Sequence, residues 1–255
     1  MDCKSLSVKE DTLLDIVTAC REDVGIVTQM PFTCDRPGFA ATLEKIYFGT
    51  MHARIYIGAD AIGVVCSTGM SALMRKSVLD ELGGFRAFSQ YIAEDYFFAF
   101  AIASKGWKCA LSSQPAWQNH AVCPVSKFHD RLARWAKLRL AMLPHMAVLE
   151  PLQECMVVGL LASWAVSVLL QWYPLVFFLI HLLVWMLMDY LLLSTVQNGP
   201  LPFSKFEFLA TWLFREISAL PLFLLAMSNQ NITWRAGRTY RLRWGGVAEE
   251  VKPRR

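Results

Sequence analysis

Two adjacent carboxylates, Glu94 and Asp95 in YIAEDYFFAFAIASKGW, stand where a run of helix-forming residues begins. A carboxylate at a helix start, beside a strand carrying Ser67, Thr68 and Gly69, serves as a general base if its surroundings set its pKa. The plainer alternative is that both acids only complement the positive end of a helix. A second group lies in RLARW. Arg131 and Arg134 share one side of a helix, and guanidinium forks suit the oxygens of a diphosphate. Trp135 beside them offers a flat face to a sugar, a base or a lipid. Gly83-Gly84 ahead of Phe85 lets the backbone come close to a bound molecule. Each pattern alone recurs by chance.

The elements that must hold these residues are legible in the periodicity. Residues 11–22 predict a helix with Asp11 as its N-cap, and VGIVTQMPF (24–32) a strand ended by Pro31. A helix is expected over 38–57. Ala72-Leu73-Met74 reads as a strand, followed by a helix from about Ser77 that stops at Gly83-Gly84. The helix opened by Glu94-Asp95 ends at a Lys-Gly stop, and WKCALSSQPAW reads as a last strand. Strands alternating with helices predict an α/β fold with a mixed or parallel sheet. In residues 128–144, Phe128, Leu132, Trp135, Leu138 and Met142 fall on one helical stripe among cations. That pattern suits a helix lying in a membrane interface, or one packed on a protein core.

Of the 255 residues, 55% are hydrophobic, and the excess is concentrated after Cys155. Three apolar segments follow: Cys155–Leu170, 174–193 with Asp189 near its end, and 206–227 with Glu207, Arg215, Glu216 and Pro221. The chain is therefore expected to be an integral membrane protein. The basic runs at 127–139 and 235–243, with Lys252, Arg254 and Arg255, read as flanks on one cytosolic side. Two full crossings satisfy that, and 206–227, with its central charges, is the expected re-entrant or interfacial segment. A net charge of +4 without aromatic-basic modules argues against nucleic acid as a partner. Seven cysteines without a CxxC pair suit reduced thiols. MDCKSLSVKE does not read as a signal peptide. The expected organisation is 1–126 for the α/β part, 127–150 for the interfacial helix, 151–230 for the membrane region and 231–255 for a basic tail.

Together, STGMSALMRKSVLDELGGF, EDYFFAFAIASKGW and RLARW ahead of apolar spans resemble the processive-type family-2 nucleotide-sugar glycosyltransferases. QMPFTCDRPGFAATLEKIYFGTMHARIYI, QYIAEDYF, FHDRLARWAKLRLAMLP and WRAGRTYRLRWGG make the resemblance closer, to the ceramide glucosyltransferase family, from about Asp11 to Glu250. The resemblance implies part of a GT-A-like sheet followed by an interfacial amphipathic helix and a transmembrane helical region. It implies transfer of glucose from UDP-glucose to ceramide, giving glucosylceramide, in a multi-pass Golgi membrane protein whose catalytic face is cytosolic. Asp95 would deprotonate the acceptor hydroxyl, with Glu94 beside it. Arg131, Arg134 and Trp135 would engage the donor diphosphate or the acceptor. His52 and Cys66 match positions linked to donor binding or inhibitor sensitivity, although a surface histidine and a buried cysteine more often have only a packing role. A divalent metal, Mg²⁺ or Mn²⁺, is implied, with Asp2 as the one candidate ligand and the site incomplete. A homo-oligomer is a further expectation. Members of the family carry an anchor and a nucleotide-binding half ahead of the matching region, so the chain is expected to be N-terminally truncated and inactive alone. The rival expectations are a non-catalytic membrane subunit and a polysaccharide-synthase-like enzyme; the latter would need more spans.

Overall fold

A computed structural model describes residues 10–119, 121, 123–233 and 238–251. Asp2, Arg235, Lys252, Arg254 and Arg255, singled out above, lie outside the described residues. In chain order the structure runs α1 (Glu10–Ala19), β1 (Val24–Thr28), β2 (Pro31–Thr33) and α2 (Phe39–Tyr47), then a π-helical turn (Phe48–His52) and α3 (Ala53–Ala61). There follow β3 (Ala72–Met74), α4 (Lys76–Glu81), α5 (Glu94–Ser104), β4 (Lys108–Leu111), β5 (Ala116–Gln118) and α6 (Val125–Met142). The C-terminal part holds α7 (Met146–Leu149), α8 (Cys155–Leu170), α9 (Pro174–Gln197), α10 (Lys205–Ser228) and the strands β6 (Asn231–Thr233), β7 (Thr239–Leu242) and β8 (Ala248–Glu250).

These elements form two compact units. One draws on the described residues of Met1–Asp35 and Phe48–Val122, the other on those of Arg36–Tyr47 and Cys123–Arg255. In the first, β1 is central, antiparallel to β3 and parallel to β4, so the sheet is mixed as expected. All five residues of β1 are buried, which explains its uninterrupted apolar run. Ile26 packs with Val78, Ala99 and Ile102, drawing α4 and α5 onto the sheet. Gly25 is required there: a Cβ would sit 2.5 Å from Ile102 Cγ2 and 2.8 Å from Trp107 Cβ. Pro31 opens β2 instead of ending β1, because the first position of a strand loses no ladder bond to a missing N–H. WKCALSSQPAW yields two strands, and the parallel β2–β5 pair stands apart from the three-stranded sheet. Asp11 lies inside the first turn of α1, which begins a residue earlier, so it does not cap it. Ser67-Thr68-Gly69 lies in the loop before β3 and not on a strand.

In the second unit, α2, α6 and α10 pack together, and α8 and α9 form an apolar hairpin. The hairpin closes at Gly159, where a Cβ would come 2.7 Å from His181 Cδ2. The His181 ring also lies 3.1 Å from the Cys155 carbonyl oxygen. α9 and α10, each 24 residues, are long and apolar enough to cross a membrane, whereas α8 has 16. α8 meets the preceding Met146–Gln153 stretch at a bend of 85°. The central charges of 206–227 face protein instead of lipid. Arg215 and Glu216 are buried, and Arg215 pairs with Glu216 and, at 3.0 Å, with Glu154. Strands β6, β7 and β8 form an antiparallel sheet tied to α6 by the Gly245 N–H, which donates to the Ala141 carbonyl at 2.9 Å.

Candidate functional site

The acid pair takes the position its sequence implies. α5 begins at Glu94, because two acids complement the exposed N–H groups of a first turn, and it stops at Lys105 and Gly106 (φ +88°). Asp95 is not a mere dipole partner. Its Oδ2 accepts from the Gly69 N–H at 2.7 Å, across 26 residues of chain, and its Oδ1 accepts from the Tyr96 N–H at 2.8 Å. The carboxylate thereby clamps the Ser67–Gly69 loop to the start of α5. Gly69 permits this approach, since a Cβ there would lie only 3.5 Å from Asp95 Oδ2. The Thr68 hydroxyl turns the loop by accepting from the Met70 N–H at 3.3 Å. Burial pushes the Asp95 carboxyl above the usual aspartate range, outweighing the two N–H donors that favour its charged form. Glu94 is pushed up as well, first by burial of part of its carboxyl and then by the Asp95 charge.

These acids open onto a cavity of about 410 Å³. Phe85, Phe88, Tyr91 and Phe98 form an apolar wall opposite the acids, with Ser67 and Ser89 at its edge. Gly83 and Gly84, at φ +91° and +67°, make the turn that presents Phe85, which leaves 63% of its surface exposed and packs edge-on against Phe98 at 5.1 Å. The glycine pair thus shapes the mouth of the cavity by placing an aromatic ring. A base held by fixed donors beside an apolar wall is suited to taking a proton from a hydroxyl carried on an apolar molecule.

His52 sits in the π-helical turn between the rings of Phe48 (5.1 Å) and Tyr56 (4.9 Å). Cys66 precedes the clamped loop and is not part of a disulfide. Neither lines the acid cavity. Arg131, Arg134 and Trp135 belong to the other unit, on α6. Arg131 pairs with Glu44 of α2 and stacks between the rings of Phe128 (5.2 Å) and Trp135 (5.3 Å). Glu44, 1% exposed, is shared with Arg36 at 2.8 Å. Two guanidinium groups thus converge on one carboxylate, with Arg134 three residues further along α6. Arg134 is partly buried, and that burial, followed by the charge of Arg131, disfavours its cationic form. Sequence reasoning missed Glu44 and Arg36. Glu44 left a faint signal, as half of a Glu-Lys pair inside the otherwise apolar FAATLEKIY, whereas Arg36 lies outside that run.

The candidate metal ligand Asp2 lies outside the described residues. Asp95 spends an oxygen on each of two backbone donors, and among the described residues no three His, Cys, Asp or Glu side chains converge.

An acid-bearing cleft in an α/β unit thus occurs in a chain whose helices α9 and α10 are long and apolar enough to cross a bilayer. The comparisons make this specific. Residues 4–248 match the model of glycosyl transferase family 21, and the chain belongs to that family. It is 44% identical to ceramide glucosyltransferase 1 of Caenorhabditis elegans over 244 residues, covering 95% of this chain and 52% of the relative. Ceramide glucosyltransferase 3 of the same nematode is 44% identical over 241 residues, covering 94% and 52%. The ceramide glucosyltransferase of Candida albicans is 26% identical over 270 residues, covering 83% and 49%. The chain spans about half the length of these relatives.

Proposed function

We propose that the protein serves glucosyl transfer from UDP-glucose to ceramide at a membrane surface, with Asp95 as the base. The observation that carries this is the Asp95 carboxylate, clamped in the lining of an aromatic-walled cavity in a chain 44% identical to two ceramide glucosyltransferases. In the proposed step Asp95 takes the proton of the acceptor's primary hydroxyl. The oxygen attacks the anomeric carbon from the side opposite the diphosphate, the glycosidic bond forms as the bond to UDP breaks, and the configuration inverts. Arg131 and Arg134 would take up the charge of the leaving diphosphate. A ceramide acceptor stays in the bilayer, which accounts for joining such a cleft to apolar helices. By the same reading the protein is a Golgi membrane enzyme with its cleft on the cytosolic side, and a homo-oligomer is compatible with it.

The test is Asp95→Asn in the full-length enzyme, expressed in cells that lack ceramide glucosyltransferase. Transfer of labelled glucose to ceramide is expected to fall roughly 10²–10⁴-fold, the usual loss for a general base. Protein level and membrane insertion should be retained. Activity within a few-fold of wild type would remove Asp95 from this role.

A further inference from the structure

We infer that α10, despite its length, does not cross the membrane but lies in the interface plane, with its apolar face in the leaflet that α8 enters. Phe206, Leu209, Leu213, Ile217, Leu220 and Leu224 follow one another at steps of three or four, and five of them are exposed. Phe214, Leu225 and Met227, also exposed, widen this line into a broad apolar stripe. The opposite face, with Phe208, Thr211, Trp212, Arg215 and Phe223, is buried in the protein. A crossing helix with only protein behind it would fit this pattern, but the helices behind it here are α2 and the charged α6. The His129 ring stacks on Phe214 at 5.9 Å, and Lys137 Nζ donates to the Asn231 carbonyl, just past the end of α10, at 3.0 Å. α6 carries Lys127 and Asp130, whose side chains are 73% and 72% exposed, and further cations toward its end. Sinking α10 across the hydrocarbon would take these charges with it, and each ion left in lipid is costly.

Two further observations agree. The tail after α10 returns to the end of α6, through Gly245 and Ala141, so the exit of α10 is on the α6 side. The Met146–Gln153 stretch that leads from α6 into α8 stands at 85° to α8. When α8 points into the bilayer, that stretch lies along its surface, with Val148, Leu149 and Leu152 exposed for lipid contact. The partner of the α10 stripe is therefore the acyl region just below the headgroups, and the α8–α9 hairpin is the part that crosses. This inference rests on membrane association alone and stands whether or not Asp95 is a base.

Single cysteines on the full-length protein, in a background without native cysteines, test it. In sealed microsomes, Lys127→Cys on α6 and Trp244→Cys in the tail should react alike with a membrane-impermeant maleimide. Reaction of one only, before permeabilisation, overturns the inference. Nitroxides on Ile217→Cys and Leu224→Cys, in reconstituted vesicles, should report equal shallow depths. A crossing helix would separate them by about 10 Å, seven residues at ~1.5 Å each, and that outcome overturns it as well. A wild-type chain with a glycosylation acceptor on an extension after Arg255 needs no cysteine changes. It should stay unmodified; a glycan removable by endoglycosidase overturns the inference.

Discussion

At the level of single residues, Asp95 and Glu44 illustrate opposite uses of a carboxylate. Asp95 faces a cavity and is held by backbone donors, so its proton affinity governs what it can do. Because burial raises its pKa, it protonates at a higher pH than a solvated aspartate. The acid limb of the kcat profile is therefore expected above the usual aspartate range. A profile flat down to about pH 4, the ordinary aspartate value, would count against that assignment. Glu44 is buried and faces two arginines, so it works by fixing the Arg131 fork between two rings. Arg131→Lys and Arg134→Lys should each lower activity by roughly tenfold or more although charge is kept, since a lysine lacks the fork. Glu44→Gln should raise KM for the nucleotide sugar more than it lowers kcat, and Glu44→Asp should recover part of the affinity. An equal fall in yield of folded protein with an unchanged KM would make Glu44 purely structural. Asp95 could be found in the sequence because it opens a helix. Glu44 stands out only as a charge in an apolar helix, and its role could not be read because its partner Arg131 lies 87 residues away.

Among the elements, the apolar helices were readable nearly to the residue, since a long run without charge can hardly be anything but a buried or membrane-embedded helix. Charges inside them were not. Arg215 and Glu216 look like lipid-exposed ions until Glu154, 61 residues before Arg215, is seen beside them. Removing that cation takes the shared countercharge from two buried carboxylates. Arg215→Met is expected to destabilise the protein by about 3–5 kcal/mol, visible as a loss of detergent-stable protein on heating. The α8–α9 hairpin depends on Gly159 in the same local way. Gly159→Ala forces its methyl against His181 and should cost roughly 1–3 kcal/mol of overpacking. Adding His181→Ala should restore part of the thermal midpoint. If the double variant melts no higher than Gly159→Ala, the close approach is not what limits this hairpin. Strand ends were misread where one residue type has two meanings, as with Pro31, which both breaks and begins strands.

For the molecule as a whole, the path of the chain matters more than its composition. The first unit is interrupted by α2, which belongs with α6 and α10 in the second. Its two charged residues find partners there: Glu44 with Arg131, and Lys45 with Gln197 at the end of α9, 2.8 Å away. Both side chains are almost fully buried. A water-soluble version of the sheet unit therefore cannot be obtained by cutting the chain ahead of its apolar helices. The cut would expose the face of α2 that packs on α10 and strip the buried Lys45 of Gln197, its partner on α9. Anyone seeking a detergent-free form must graft out residues 36–47 as well, or redesign that helix for solvent.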